Sequence, residues 1–354
     1  MHLDILSSAF FMLSDFDAFH SENRDCHGRF SAKSSRAYAG GFLDRPLLDE
    51  YVEILWLCMK RLWPSLVRKQ PRGEILVSCD VDRPFLPAAA SVMGTVKSLG
   101  ADVLRRRSPG TAVRRLLASV ARGRFGDRLD PYNTFDWYMS VCEQYGRRAA
   151  FYFLVAGTSD LDGDYSLEDD RIEALIRSAS SRGHEVGIHG SYNSILDEKQ
   201  IVHEKQLLEN CLTRLGIDSV VAGNRQHYLR WNTKTTAGFL DDAGYIYDTT
   251  GGYADHTGFR FGTAREFPMW CWHKQERLHI IQRPLIVMDV TLLSQEYMAL
   301  GYGNAVNEHV AAMKDRALRY GGNFTVLWHN SNLLTRRDRE LFEYCIQDEK
   351  QITP

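Results

Sequence analysis

Residues 74–84 read EILVSCDVDRP. A short apolar run, Glu74 to Ser78, passes into two acids that flank one valine, and Pro84 ends the stretch. A run too short for a buried helix and stopped by turn chemistry reads as a strand covered on both faces. The pattern recurs as AAFYFLV (149–155), EVGIH (185–189), SVVAG (219–223), a weak YIYD (245–248), LIVMDVTLL (285–293) and FTVLWH (324–329). Between these runs the spacing of apolar residues predicts helices near 132–145, 167–182, 197–214, 233–243, 303–319 and 335–349. Buried strands alternating with amphipathic helices indicate an α/β protein with a largely parallel sheet. Seven such strands favour a distorted, barrel-like (β/α)7–8 arrangement over an open sheet.

The remainder of the chain sets the frame. At 354 residues, with 44% hydrophobic and 25% charged, it can bury a large core. Residues 1–70 read as a small N-terminal extension. They comprise a polar loop at 21–41, an amphipathic helix near 47–62 stopped before Pro64, and a hinge KQPRG at 69–73. Residues 71–354 then form the barrel. A net charge of -2 gives no reason to expect nucleic acid. The N-terminus, MHLDILSSAFFMLSDFDAFHSENRD, has neither a basic leader region nor a small-residue cleavage site, and no run of 18 apolar residues exists. Seven scattered cysteines without a CxxC spacing fit a reducing compartment, so a cytoplasmic protein is expected.

In folds of this class, chemistry gathers where the strands end and their loops converge. Residues two apart in an extended segment share a face, so Asp80 and Asp82 would point into one pocket. Adjacent carboxylates repel unless a cation sits beside them, which suggests one acid on a metal and the other free as a base. His189, ending the EVGIH run, supplies a nitrogen ligand to accompany Asp82, a donor set suited to zinc or a similar divalent ion. Arg225 can pair with Asp80 and orient it. His329 closes LWH, where a buried imidazole needs a partner; Asp248 and Asp289 are the available acids. An acid beside it would keep it protonated as a general acid. A backbone N–H near Tyr228 could help hold an oxyanion. Taken singly, these residues have duller readings: a capped turn, a core histidine, a surface salt bridge. Together they are the parts for hydrolysis of an amide or ester.

On these residues the chain resembles the polysaccharide deacetylases of NodB type, carbohydrate esterase family 4. Asp80 and Asp82 match the family's base and metal-binding aspartates in a spaced D-x-D form. His189-Gly190-Ser191-Tyr192-Asn193 matches its second motif, with Asn193 where the second histidine ligand should stand. Arg225-Gln226-His227-Tyr228 corresponds to RxPY with histidine for proline, and Leu327-Trp328-His329 to LxH. Asp248 is the best alignment to a weak fourth motif. More narrowly, RDCHGRFSAKSS, RQHYLRW, GYADHTGFRFGT and VMDVTLL are similar to stretches in a branch linked to bacterial surface-polysaccharide biosynthesis.

The resemblance implies a distorted barrel of polysaccharide deacetylase type over roughly residues 74–335. It implies a divalent metal, with zinc the expected ion, on Asp82, His189 and Asn193. Asp80, His329, Arg225, Asp248 and Asp289 would form the catalytic set, and Tyr228, His227, Arg230, Trp231 and Tyr192 would bind substrate. The implied reaction is hydrolytic removal of an acetyl group from a sugar of a surface polysaccharide or lipopolysaccharide O-antigen. Asparagine is a weaker ligand than imidazole, so two alternatives stay open. One is acyl-transfer or amide-forming chemistry on an acidic O-antigen sugar; the other is a catalytically inactive glycan-binding protein.

Residues 101–128 hold eight arginines against two aspartates. Such a segment is either a solvated face or a lid over the pocket that holds an acidic glycan, a nucleotide- or lipid-linked glycan, or an anionic membrane surface. Peripheral contact with the inner membrane through 105–128 is therefore an expectation too. RDCHGRF (24–30) is polar enough to contribute to a site, but it reads first as a surface loop.

Overall fold

The computed structural model describes residues 4–69, 72–86, 92–104, 106–121 and 123–348. Part of the expected hinge (70–71) and Arg105 and Arg122 of the basic segment lie outside the described residues. Nine strands form one sheet: Ile75–Val81 (β1), Ala149–Leu154 (β2), Glu185–Gly190 (β3), Gly223–Gln226 (β4), Tyr247–Asp248 (β5), Phe267–Cys271 (β6), Glu276–Gln282 (β7), Val287–Met288 (β8) and Phe324–Leu327 (β9). Their order is β6-β7-β5-β4-β3-β2-β1-β9-β8, parallel throughout except for the β6–β7 hairpin. Among the described residues the ladder does not continue from β8 to β6. The architecture is thus a helix-flanked α/β sheet of barrel-like kind, without closure by hydrogen bonds.

Strand parity places the chemistry. On β1, Val77, Cys79 and Val81 are buried in the main core, with Phe151 and Phe153 of β2 and the helix Phe135–Gln144. Ser78 and Asp80 alternate with them and point to the other face, where the side chains are Tyr152 of β2, Arg225 of β4 and Tyr247 of β5. That inner face is filled by rings and one guanidinium. It tolerates no side chain at residue 187 of β3, because a Cβ there would come within 2.7 Å of the Tyr152 ring.

Three expectations need correction. The strand expected at SVVAG begins only at Gly223; Val220 is exposed, and the residues that pair are the polar GNRQ. They carry no apolar signal because buried hydrogen bonds satisfy them: Asn224 donates to Asp248, Arg225 to Ser78 and Gln226 to Asn224. Within LIVMDVTLL only Val287–Met288 is strand, and Asp289–Leu293 is a short helix. The β6–β7 hairpin was not expected, since its burial alternates residue by residue rather than forming an apolar run.

The N-terminal residues fold against the barrel through polar and aromatic anchors. The helix Leu47–Leu62 buries Asp49, which accepts hydrogen bonds from the Thr263 hydroxyl (2.9 Å) and the Ala264 N–H. Asp15 pairs with Arg260 at 2.6 Å. The Trp272 indole donates to Ser14 O while its ring stacks on Phe19. RDCHGRF is a surface loop only in part: Arg24, Cys26 and Gly28 are exposed, but Arg29 and Phe30 are buried, Phe30 with Ala18, Ala32, Leu43 and Tyr253. The Asp25 carboxylate explains why, since it draws the backbone N–H groups of His27 and Arg29 and the Arg29 guanidinium inward.

Candidate metal centre

Asp82 and His227, just past the ends of β1 and β4, converge with His189 near the end of β3, their ligand atoms all within 4.8 Å of one another. Asp82 Oδ1 lies 3.1 Å from His189 Nε2 and 3.6 Å from His227 Nε2. Each imidazole is held from behind through Nδ1: His189 by the Arg225 carbonyl at 2.8 Å, His227 by Asp162 Oδ1 at 2.9 Å. Donation of an Nδ1 proton to those oxygens leaves both Nε2 lone pairs facing Asp82, the arrangement that fixes histidine as a metal ligand. Asp162 is itself fixed, accepting from the N–H groups of Thr158, Ser159 and Tyr192. Burial would raise its pKa, but the hydrogen bond from His227 and those backbone donors outweigh it and hold it low.

The donor set fits a divalent cation. Asp82 Oδ1 and Asp80 Oδ1 are buried and have no hydrogen-bond partner, an expensive arrangement for two carboxylates unless a cation neutralises them. Burial works against the Asp82 carboxylate, yet the neighbouring charges of His227 and His189 hold its pKa well below the usual range. The same carboxylate, with Asp162, outweighs burial at His227 and raises its pKa to about 9. Protein groups alone therefore over-concentrate charge here. Two imidazoles and one carboxylate are a donor set for zinc-like ions.

Beside the triad, Asp80 Oδ2 lies 3.7 Å from His189 Nε2, and Asp80 Oδ1 lies 3.6 Å from Arg225 Nε. Arg225 is fully buried, donates to Ser78 Oγ and Thr249 Oγ1, and lies over the Tyr152 ring. Across the cavity, His329 Nδ1 meets Asp289 Oδ1 at 2.8 Å, and its Nε2 is 3.6 Å from Asp82 Oδ2. Burial disfavours the imidazolium, but Asp289 and then Asp82 prevail and raise its pKa to about 10. Asp289 also accepts from the His329 N–H and from Asn332, which fixes its orientation. The cavity of about 360 Å³ above these groups is lined by Asp80, Asp82, His189, His227 and His329, with Arg29, Arg83, Arg106 and Tyr228 among its walls.

Other expected site residues lie elsewhere. Asn193 does not join the triad: its amide donates to Thr158 O at 2.9 Å and its Oδ1 accepts from Arg230 at 3.2 Å. The third place in the group able to hold a divalent metal is taken by His227, which was expected to bind substrate. Asp248 is not the partner of His329. It is fully buried under β4, accepting from Asn224 and Thr250, and burial raises its pKa despite those bonds. Tyr192, Arg230 and Trp231 do not line the cavity. Arg230 braces the loops instead, donating to His27 O and lying over the Tyr192 ring, while the Tyr192 hydroxyl meets His27 Nδ1. Trp231 packs half-buried against the main core.

Tyr228 does line the cavity; it and Leu229 take left-handed backbone angles (φ 59° and 55°), a costly turn for bulky residues that follows His227 directly. Its carbonyl accepts from Arg29, whose guanidinium also donates to the Tyr297 hydroxyl at 3.0 Å. The N-terminal residues thus contribute to the cavity wall. Two further residues line the cavity, Asp162 and Arg29. Asp162 sits in the loop beyond the expected strand 149–155 and was not singled out, whereas Arg29 falls in RDCHGRF, a stretch polar enough to contribute to a site but read as a surface loop.

Residues 1–64 match the model of a family of unknown function, DUF7033. No curated protein matches the chain. Among solved structures, the fold is similar to a Mycobacterium smegmatis protein designated a polysaccharide deacetylase, at 15% identity and a TM-score of 0.49, covering 79% of this chain and 85% of that one. Puue allantoinase is similar at 12% identity and a TM-score of 0.46, covering 80% and 85%. A Pseudomonas aeruginosa PAO1 protein designated a polysaccharide deacetylase is similar at 11% identity and 0.47, again covering 80% and 85%.

Proposed function

We propose that the chain is a metal-dependent hydrolase that removes acetyl groups from a sugar of a glycan. The observation that carries the hydrolase reading is the Asp82–His189–His227 group, each imidazole oriented through Nδ1, with Asp80 Oδ1 beside it free of hydrogen bonds. The acetyl-sugar substrate is supported by the motif likeness of Asp80-x-Asp82, His189, Arg225 and Leu327-Trp328-His329 to carbohydrate esterase family 4.

Zinc is the ion these ligands suit best, and bound there it would polarise the acyl carbonyl as a Lewis acid. Asp80 is the base: its Oδ1 has no hydrogen bond to give up, and the Arg225 guanidinium, 3.6 Å away, supplies a neighbouring charge without a hydrogen bond. It takes the proton of the attacking water. His329, held on Asp289, carries a proton through the neutral pH range and gives it to the leaving amine or hydroxyl. Asp289 is a positioning residue that keeps Nε2 turned toward the cavity. Tyr228 and Arg29 bound the space in which the sugar sits.

Elemental analysis of the purified chain, with acetate release from acetylated amino-sugar oligomers, tests this. About one equivalent of divalent metal, lost on His227→Ala, together with metal-dependent acetate release, is the expected result. Less than roughly a tenth of an equivalent after loading would sink the reading.

A further inference from the structure

The helix Pro109–Val120 is mounted inside out. Its buried side carries Thr111, Ala112 and Arg115. Arg115 forms a 2.7 Å ion pair with the fully buried Asp102, and Thr111 donates to Leu334 O. The opposite side, at the i, i+3, i+4, i+7 spacing of one helical stripe, is Val113, Leu116, Leu117 and Val120, each 49–76% exposed. The helix Val92–Leu104, which packs on it, exposes Val96, Val103 and Leu104 as well. A helix of a water-facing surface turns such a stripe inward; here the polar side has been used for packing and the apolar side is left over.

Among the described residues of this segment the exposed charges have one sign. Lys97 and Arg107 are exposed on and just after the first helix, and Arg128 on the adjoining helix Gly123–Leu129. The acids of the segment are spent: Asp102 lies between Arg106 and Arg115, and Asp127 faces Arg171. An apolar stripe flanked by uncompensated cations is complementary to an anionic lipid surface, where the stripe enters the headgroup boundary and the cations meet phosphates. No helix among the described residues is long and apolar enough to cross a membrane, so the contact is superficial. Arg106, at the junction of the two helices, lines the cavity above the metal site.

We infer that the apolar face of helices Val92–Leu104 and Pro109–Val120 docks on an anionic lipid surface and brings the mouth of the cavity to the lipid boundary. The inference stands apart from the metal reading, because vesicle binding needs no turnover.

Co-sedimentation of the full chain with vesicles of phosphatidylcholine, alone or with about a third phosphatidylglycerol, tests it. Binding to the anionic vesicles should be tighter by about fivefold per exposed cation. Leu116→Ser/Leu117→Ser should abolish most of it with the thermal midpoint unchanged, since both residues are exposed. Lys97→Ala/Arg107→Ala/Arg128→Ala should erase the preference between the two vesicles, and Asp82→Ala should bind like the parent chain. Equal binding to both vesicles, no binding, or full binding by the leucine double variant would overturn the inference. So would a concentration-dependent dimer that the double variant abolishes, which would make this face an interface between copies.

Discussion

Two buried aspartate–arginine pairs can be compared directly. In the helical segment, Asp102 is saturated: Oδ2 meets Arg115 Nε and Oδ1 meets Arg106 Nη1, each at 2.7 Å. At the candidate site, Asp80 and Arg225 are just as deeply buried but stand 3.6 Å apart, and Asp80 Oδ1, Arg225 Nε and Arg225 Nη1 have no hydrogen-bond partner. The first pair consumes its bonding capacity in holding two helices together. The second keeps it in reserve, a state that costs stability and is kept where a carboxylate must accept something new. Incomplete satisfaction, more than burial or charge, separates the chemical site from the structural one.

The strongest way to break that distinction is Asp80→Asn. If Asp80 is the base, acetate release should fall by roughly 10²–10⁴-fold. Metal content should be unchanged, because Asp80 lies outside the Asp82–His189–His227 group. Retained activity would make the pair merely structural. Asp102→Ala should do the reverse: metal content stays, and urea unfolding shows a loss of about 3–5 kcal/mol, the cost of leaving Arg115 buried without its carboxylate. An unchanged midpoint would show that the segment does not depend on the pair.

Asp49 is an intermediate case, buried like Asp102 but held mainly by neutral donors from Thr263 and Ala264. Burial raises its pKa from 3.8 to about 6, against those hydrogen bonds and the Arg265 charge. A folded-state pKa above the unfolded one means that the native chain binds the extra proton between those values. Its contribution to stability is therefore present in full below pH ~4 and is lost as pH rises through about 6, amounting to ~3 kcal/mol. The midpoint of the parent chain should drop over that window relative to Asp49→Asn, which has no proton to lose. Parallel curves for the two proteins would refute the assignment.

How legible these residues were in the sequence depends on how they meet their neighbours. β1, β2, β3 and β9 announce themselves because both faces are packed and the runs are apolar. β4 does not, because its inner face is an arginine and its outer face amides, and hydrogen bonds replace hydrophobic burial. Asp80, Asp82, His189 and His329 could be placed on one rim by parity and strand order alone. Asp162 could not: it lies in the loop between β2 and the next helix, and its tie to His227 spans 65 positions of chain. The same gap misdirected the third ligand to Asn193, four residues past His189 along the loop. The nearer nitrogen comes across the sheet, where β3 and β4 run in parallel register with Gly190 opposite Gln226, so His227 emerges beside Ser191.

The smallest effect tests that last point most sharply. Asp162→Ala removes the acceptor of the His227 Nδ1 proton without touching a ligand atom, so the ring loses its orientation but not its nitrogen. Metal affinity, measured by competition with a chelating dye, should weaken by about 10–100-fold, the usual cost of losing an outer-shell carboxylate. Asn193→Ala removes the side-chain oxygen expected as a ligand, yet that oxygen is spent on Arg230 and the amide on Thr158. Affinity should then move by less than about threefold. If the two variants exchange these outcomes, the metal is held along the loop by Asn193, and His227 belongs to the substrate. If they behave as stated, the site is assembled across adjacent strands, and the asparagine braces the loop that carries it.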